Sequence, residues 1–207
     1  MKNNYALYAG AALAVLAMSS CSNNDDFVGT WQTKQPLDIS RQIPAAASAT
    51  SNVTITFGPD TDGKGGEVVY TSEIQGTQSV DENPGVVTGY EVSVSAIASV
   101  SGTWSYEPGK DDDLLITFDR NTIKVNVDPA GVIFRQNVVT DAQEPVTDSL
   151  TQATAAMWER QVEAAFREEL GRYSRLDDVK VKNDNNSGPV LKFEIENPEQ
   201  ELFFIKN

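Results

Sequence analysis

The sequence predicts a mainly β, antiparallel domain with one amphipathic α-helix inserted before the last three strands. Three observations carry this expectation. Apolar and polar residues alternate over many short segments, the period of a strand with one buried and one solvated face. Stretches rich in Gly, Pro, Asn and Asp separate those segments. One segment, beginning near residue 149, changes to helical periodicity.

The first 20 residues are not expected to belong to the fold. Lys2 supplies a positive start, Ala6 to Met18 is an apolar run broken only by Gly10, and Ser19-Ser20-Cys21 follows. This is the layout of a secretory signal with small residues at the cut site. The run is shorter than the roughly 20 apolar residues a membrane-spanning helix needs. A cysteine directly after small residues resembles the lipobox of bacterial lipoproteins, although Met18 stands where Leu is usual and Leu16 lies two residues earlier. The resemblance implies cleavage before Cys21, a thioether diacylglycerol on its sulfur, and N-acylation by a fatty acid such as palmitate. Three acyl chains exceed the two signals that stable anchoring requires. An ordinary secreted protein with a cysteine at that place is the other reading of these residues. Ser22-Asn23-Asn24-Asp25-Asp26 reads as a solvated tether over 21–26. It resembles the acidic export signal of surface lipoproteins in Bacteroidetes-type bacteria, and a plain linker offers the same residues. The expected location is the outer membrane, lipid-anchored, facing the cell surface or the periplasm.

The folded domain is expected over 27–207. Val53, Ile55 and Phe57 share one face of a strand; Val92, Val94, Ala96, Ala98 and Val100 share one face of a longer strand. Ile123, Val125 and Val127 alternate with polar residues, as do Leu191, Phe193 and Ile195. The segment from Glu67 to Ile74 alternates less cleanly but is β-branched and aromatic. Weaker strand signals cover 27–33, 114–118, 132–138, 179–182 and 202–206. Loops are expected at Gly58–Gly66, Asp81–Gly85, Glu107–Asp113, Asn183–Pro189 and Asn197–Gln200. Asp119-Arg120-Asn121 and Asp128-Pro129-Ala130-Gly131 are short enough for hairpins. Residues 34–51 lack periodicity and read as a long connection, with room for a short helix.

The helix should run from about Leu150 to Arg172. Ser149-Leu150-Thr151-Gln152 matches a capping box. Ala155, Trp158, Val162, Ala165, Phe166 and Tyr173 fall on one stripe, and Glu163/Arg167 and Glu168/Arg172 are favourable i,i+4 pairs. Such a stripe needs a surface to cover it, and the sheet is the surface available.

Composition narrows the function. Of 207 residues, 40% are hydrophobic, enough for a core, and 30 Asp/Glu against 16 Lys/Arg give a net charge of -14. That sign argues against nucleic acid, whose phosphates need Lys and Arg. The chain has no histidine, which excludes Ser-His-Asp triads and His-ligated metals, and its single cysteine excludes an intrachain disulfide. No nucleophile-elbow or phosphate-loop motif is present. No catalytic residue, metal or cofactor is expected, and the chain is read as a non-enzyme. Asp60, Asp62 and Glu67 in the Gly-rich loop have the residue types of a calcium site, but Lys64 breaks the pattern and a hairpin loop accounts for them. Asp111-Asp112-Asp113 is expected to be a solvated turn, because successive side chains on extended chain point to opposite sides.

Gly29-Thr30-Trp31 recurs as Gly102-Thr103-Trp104, each followed by a Thr-containing strand. With the lipobox and the acidic tether, these motifs make the sequence resemble the lipocalin-like, calycin-type lipoproteins of Bacteroidetes. The resemblance covers Cys21–Trp31 and about Val100–Val127; the long 34–51 connection and the helix depart from it. It implies an up-and-down β-barrel. A barrel of this kind encloses one small ligand, so carriage of a small apolar ligand is the first expectation. Trp31, Phe57, Trp104, Phe118 and Trp158 are then the candidate cavity residues. The other expectation is a non-catalytic structural or interaction protein of the cell envelope, whose barrel those same side chains fill.

Overall fold

The computed structural model describes residues 26–61, 63–81, 89–107, 112–136, 148–184, 188–196 and 199–207. The signal, Cys21, all of the tether but Asp26, and most of the loop expected at 81–85 lie outside them. Among the described residues eleven strands form one antiparallel sheet. They are β1 (Gly29–Thr33), β2 (Leu37–Asp38), β3 (Ser48–Phe57), β4 (Gly66–Asp81), β5 (Gly89–Tyr106), β6 (Leu114–Phe118), β7 (Lys124–Val127), β8 (Ile133–Gln136), β9 (Arg175–Asp184), β10 (Gly188–Ile195) and β11 (Gln200–Lys206). The one helix among the described residues, α1 (Asp148–Arg172), precedes the last three strands as expected.

β1 pairs with β11 on one side and β3 on the other. From β3 the pairings run through β4, β5, β6, β9, β10 and β11, and so return to β1. Alternation in the sequence sets which face is inside. In β3, Ala49, Ser51, Val53, Ile55 and Phe57 are buried, while Ser48, Thr50, Asn52, Thr54 and Thr56 face outward. The repeated tripeptides fall on the same level of the sheet. Gly29, Phe57, Val68, Gly102 and Phe118 are successive register partners across five strands.

Two expectations are corrected. The segments at Asp119 and Asp128 are not hairpins. β5 is 18 residues long, and β6, β7 and β8 pair in succession along one of its edges, all in the same direction. They are one long strand interrupted by two single 3₁₀ turns, 120–122 and 129–131. Phe118 and Lys124 are six residues apart, but their partners Gly102 and Ser99 are three apart. Each turn therefore lifts three residues out of register. The Asp before each turn fixes it: Asp119 accepts from the Asn121 N–H at 3.0 Å and Asp128 from the Ala130 N–H at 2.9 Å. An Asp that braces a turn in this way marks the turn but not the direction in which the chain leaves it. Likewise, 34–51 contains no helix; it holds β2, a buried Ile39 and Ile43, and the first residues of β3.

α1 buries Ala155, Trp158, Val162, Ala165, Phe166 and Leu170, and Tyr173 is buried just beyond its end. It packs on β5, β7 and the turn at 129–131. Asp148 is already helical, so Ser149 sits in the first turn and is not the cap. Glu163 and Arg167 form the expected i,i+4 pair at 2.7 Å. Gln161 Oε1 accepts the Ala45 N–H at 2.8 Å and so fastens the 34–47 connection to the helix.

Candidate functional site

The five candidate cavity residues belong to one apolar core. Trp31 and Trp158 are 0% exposed, Phe57 and Trp104 are 1% exposed, and Phe118 is partly buried against the same core. Phe27 joins two of them, edge-on to Phe57 at 5.3 Å and to Trp104 at 4.9 Å. Its carbonyl accepts the Trp31 indole N–H. Phe118 meets Tyr70 at 6.0 Å. A side chain without accessible surface borders neither solvent nor a void that a water molecule would enter. Sequence reasoning missed a second aromatic group that meets this one at Phe118. Tyr70, Phe166, Tyr173, Phe193 and Phe204 form a second aromatic chain, with Tyr70–Tyr173 at 4.9 Å and Phe193 stacked on Phe204 at 5.1 Å. The signal was in the alternation, which places Tyr70 and Phe193 on inner faces, but no spacing tells that both meet Tyr173, just beyond α1.

The Gly-rich loop 58–66 serves Trp104. Gly58 O accepts the Trp104 indole N–H at 3.1 Å. Gly65 adopts φ +114°, and a Cβ there would lie 1.8 Å from the Trp104 carbonyl oxygen. The Asp60 carboxylate accepts the N–H groups of Lys64 and Gly65 at 3.0 and 2.8 Å. Its Oδ1 thus braces the loop, in keeping with the hairpin-loop reading; Asp62 lies outside the described residues.

Carboxylates do converge elsewhere. Oxygens of Glu107, Asp113 and Asp177 all lie within 4.8 Å of one another. Arg175 sits among them, 3.1 Å from Glu107, 3.7 Å from Asp113 and 2.7 Å from Asp177. Asp113 is therefore not a solvated turn residue but 6% exposed, and its Oδ1 accepts the Asp178 N–H at 3.0 Å. Asp178 has φ 55°, a left-handed conformation that Asp tolerates better than most residues. Its carboxylate pairs with Lys180 and, at 3.4 Å, with Lys192. The Lys180 hydrogen bond holds the Asp178 carboxyl below its usual range. A guanidinium already shared among three carboxylates explains the convergence by ion pairing.

A partly exposed carboxylate lies at the edge of the core. Glu169 of α1 accepts a hydrogen bond from the buried Tyr70 hydroxyl at 3.0 Å. Burial pushes Glu169 up, against the Tyr70 hydrogen bond and the Arg172 charge, which favour its ionised form. Burial likewise pushes the phenols of Tyr70 and Tyr173 well above the ordinary range. Next to this end of α1 is a charged groove of about 190 Å³ lined by Glu168, Gly171, Arg172, Ser174, Arg175 and Glu196. Its chemistry is that of ion pairs, not of an apolar ligand.

A comparison with protein-family models gives no match, and a comparison with curated proteins gives none. The lipocalin-like reading therefore rests on the lipobox, the acidic tether and the two Gly-Thr-Trp motifs.

Proposed function

We propose that this protein is a lipid-anchored, non-catalytic component of the bacterial envelope. Its strands form an up-and-down, lipocalin-like barrel filled by the protein's own side chains and by α1. Of the two roles open to such a domain, interaction scaffold and carrier of a small apolar ligand, the filled scaffold is the better supported. The observation that carries it is the near-zero exposure of Trp31, Phe57, Trp104 and Trp158 within one core. A carrier keeps apolar walls facing an open lumen; here such walls face one another. Support for the barrel is the circuit of pairings that leaves β1 through β3 and comes back through β11. Support for the anchor is the sequence from Ala6 to Cys21, with no other cysteine to compete.

The test is binding of a fluorescent fatty acid to the purified mature lipoprotein, followed through tryptophan emission, with a native mass spectrum of the same sample. The scaffold reading expects neither stoichiometric binding nor a co-purified small molecule. One probe bound per chain with altered tryptophan emission would establish carriage instead. Carboxylate-dependent hydrolysis of a glycan or ester panel would overturn both roles.

A further inference from the structure

We propose that Glu169 is a proton-controlled latch, which holds the C-terminal turns of α1 on the sheet more firmly in acid than in alkali. The latch is built from two elements distant in sequence. Tyr70 on β4 is 0% exposed, and its hydroxyl donates to Glu169 Oε1 across the β4–α1 contact. Phe166, one helical turn before Glu169, lies 5.6 Å from the Tyr70 ring, and Tyr173, one turn after, lies 4.9 Å from it. The carboxyl group is thus flanked along the helix by the aromatic residues that dock it. The charged and titratable groups facing it are Tyr70 from β4, and Arg172 and Tyr173 from its own chain segment. β6 and β10 contribute Phe118 and Phe193 to the two tyrosines, and these rings do not titrate. Arg172 is turned elsewhere: its Nη2 donates to Gln200 of β11 at 3.0 Å, and its buried Nε has no hydrogen-bond partner. An ionised Glu169 is therefore compensated by one phenol and by a guanidinium with which it shares no hydrogen bond.

The sign follows from linkage. With α1 docked, burial favours the neutral carboxylic acid; with α1 lifted, water solvates the carboxylate and its affinity for protons falls to the ordinary value. The docked state thus binds more protons, so docking strengthens as pH falls through the interval between the two affinities and weakens as pH rises. The Tyr70 hydroxyl donates to either form, so the contact persists while its strength changes. The whole chain contains no histidine, so imidazole, the usual source of a response near neutrality, cannot supply one here.

The latch is independent of what the domain binds, and its failure leaves the proposed function untouched. The experiment is amide hydrogen exchange of the intact mature protein across mildly acidic to mildly alkaline pH. Protection at Val162, Phe166 and Leu170 is read as an opening constant after intrinsic exchange rates are removed. Wild type should open more as pH rises. Glu169→Gln, neutral at every pH and still able to accept from Tyr70, should show a flat profile. Tyr70→Phe removes a hydrogen bond that favours the ionised form and should move the wild-type transition to higher pH. A flat wild-type profile, or a Glu169→Gln profile that keeps the wild-type slope, would overturn the latch. If Glu169→Gln does not fold, an unshifted transition in Tyr70→Phe overturns it equally.

Discussion

Trp158 and Gly76 should behave as one packing unit, and their coupling can be worked out from the structure. Trp158 is fully buried, and its indole N–H donates to Gln78 Oε1 at 3.0 Å. Gly76 lies on β4 directly beneath the ring: a Cβ there would stand 2.3 Å from Trp158 Cη2 and 2.6 Å from Cζ3. Trp158→Ala should cost about 3–5 kcal/mol, the range for deleting a buried aromatic. Gly76→Ala alone should cost about 1–3 kcal/mol, because the ring must be displaced within a packed core. With the ring already removed, the clash is gone and the new methyl group fills part of the cavity. The same substitution in the Trp158→Ala background should then be close to neutral or slightly stabilising. The interaction energy is expected at about 1–3 kcal/mol, within the span for residues in contact. Urea denaturation followed by circular dichroism of the wild type, both single variants and the double variant measures it without relying on the deleted indole. Glu163→Ala, on the exposed face, is the control and should cost a few tenths. Additive costs for Gly76→Ala and Trp158→Ala would refute the packing of α1 on β4 described here.

Four further outcomes are expected. Gly65→Ala should destabilise by about 3 kcal/mol or more in the same denaturation assay, since it combines a left-handed φ with a backbone clash against the Trp104 carbonyl. Arg175→Met should lower stability near neutrality by taking from the carboxylates of Glu107, Asp113 and Asp177 the guanidinium they share, and melting temperatures of the variant and the wild type read this. Asp178→Asn should cost stability near neutrality but little in strong acid. The depressed Asp178 pKa contributes stability above the unfolded-state value, and that contribution is lost as pH falls through the folded-state value. Finally, Cys21→Ala should stop incorporation of labelled fatty acid and release the protein from membranes; acylation of that variant would sink the anchoring argument.

The legible part of the fold was the part written in periodicity. Every strand with clean alternation is present, and the helix stripe from Ala155 to Phe166 faces inward as its spacing requires. Legibility failed where the ladder is irregular. Residues 175–184 form one strand, but the sequence displays a strand only from Val179. Between Leu176 and Val179 the apolar spacing is three, not two, because the ladder shifts register there: Glu194 pairs Asp177, while Lys192 pairs Lys180. That irregularity holds Asp178 at positive φ and turns its N–H toward Asp113. The three-carboxylate cluster around Arg175 is a consequence of the same irregularity. It brings Glu107 and Asp113, from the loop after β5, against Asp177 of β9, some 65 residues later. Nothing local to either segment announces the encounter. The interrupted strand β6–β8 failed for a related reason: an Asp-braced turn reads the same whether the chain reverses or continues.

The packing of the interior shifts the weight of the functional question outward. The two outer surfaces of the sheet differ in kind. On β1, β3, β4 and β5 hydroxyls and amides face outward, interspersed on β4 and β5 with Glu67, Glu73 and Ile97. Thr30 pairs with Thr56, Ser48 with Thr77, and Gln75 with Ser95, each pair sharing a side-chain hydrogen bond. On β9, β10 and β11 the outward rows are ionic, with Lys192 amid Asp178, Glu194 and Glu201. The charges of β9, β10 and β11 balance, five Lys and Arg against five Asp and Glu. An ion-pair network in high dielectric adds little stability for each pair, so the ionic rows are a weak source of fold energy compared with the aromatic core. What they do set is the local pattern of opposite charges that a partner must match, beside the hydrogen-bonding groups of the other strands. Salt should weaken contacts made to the ionic rows far more than contacts made to the hydroxyl and amide rows.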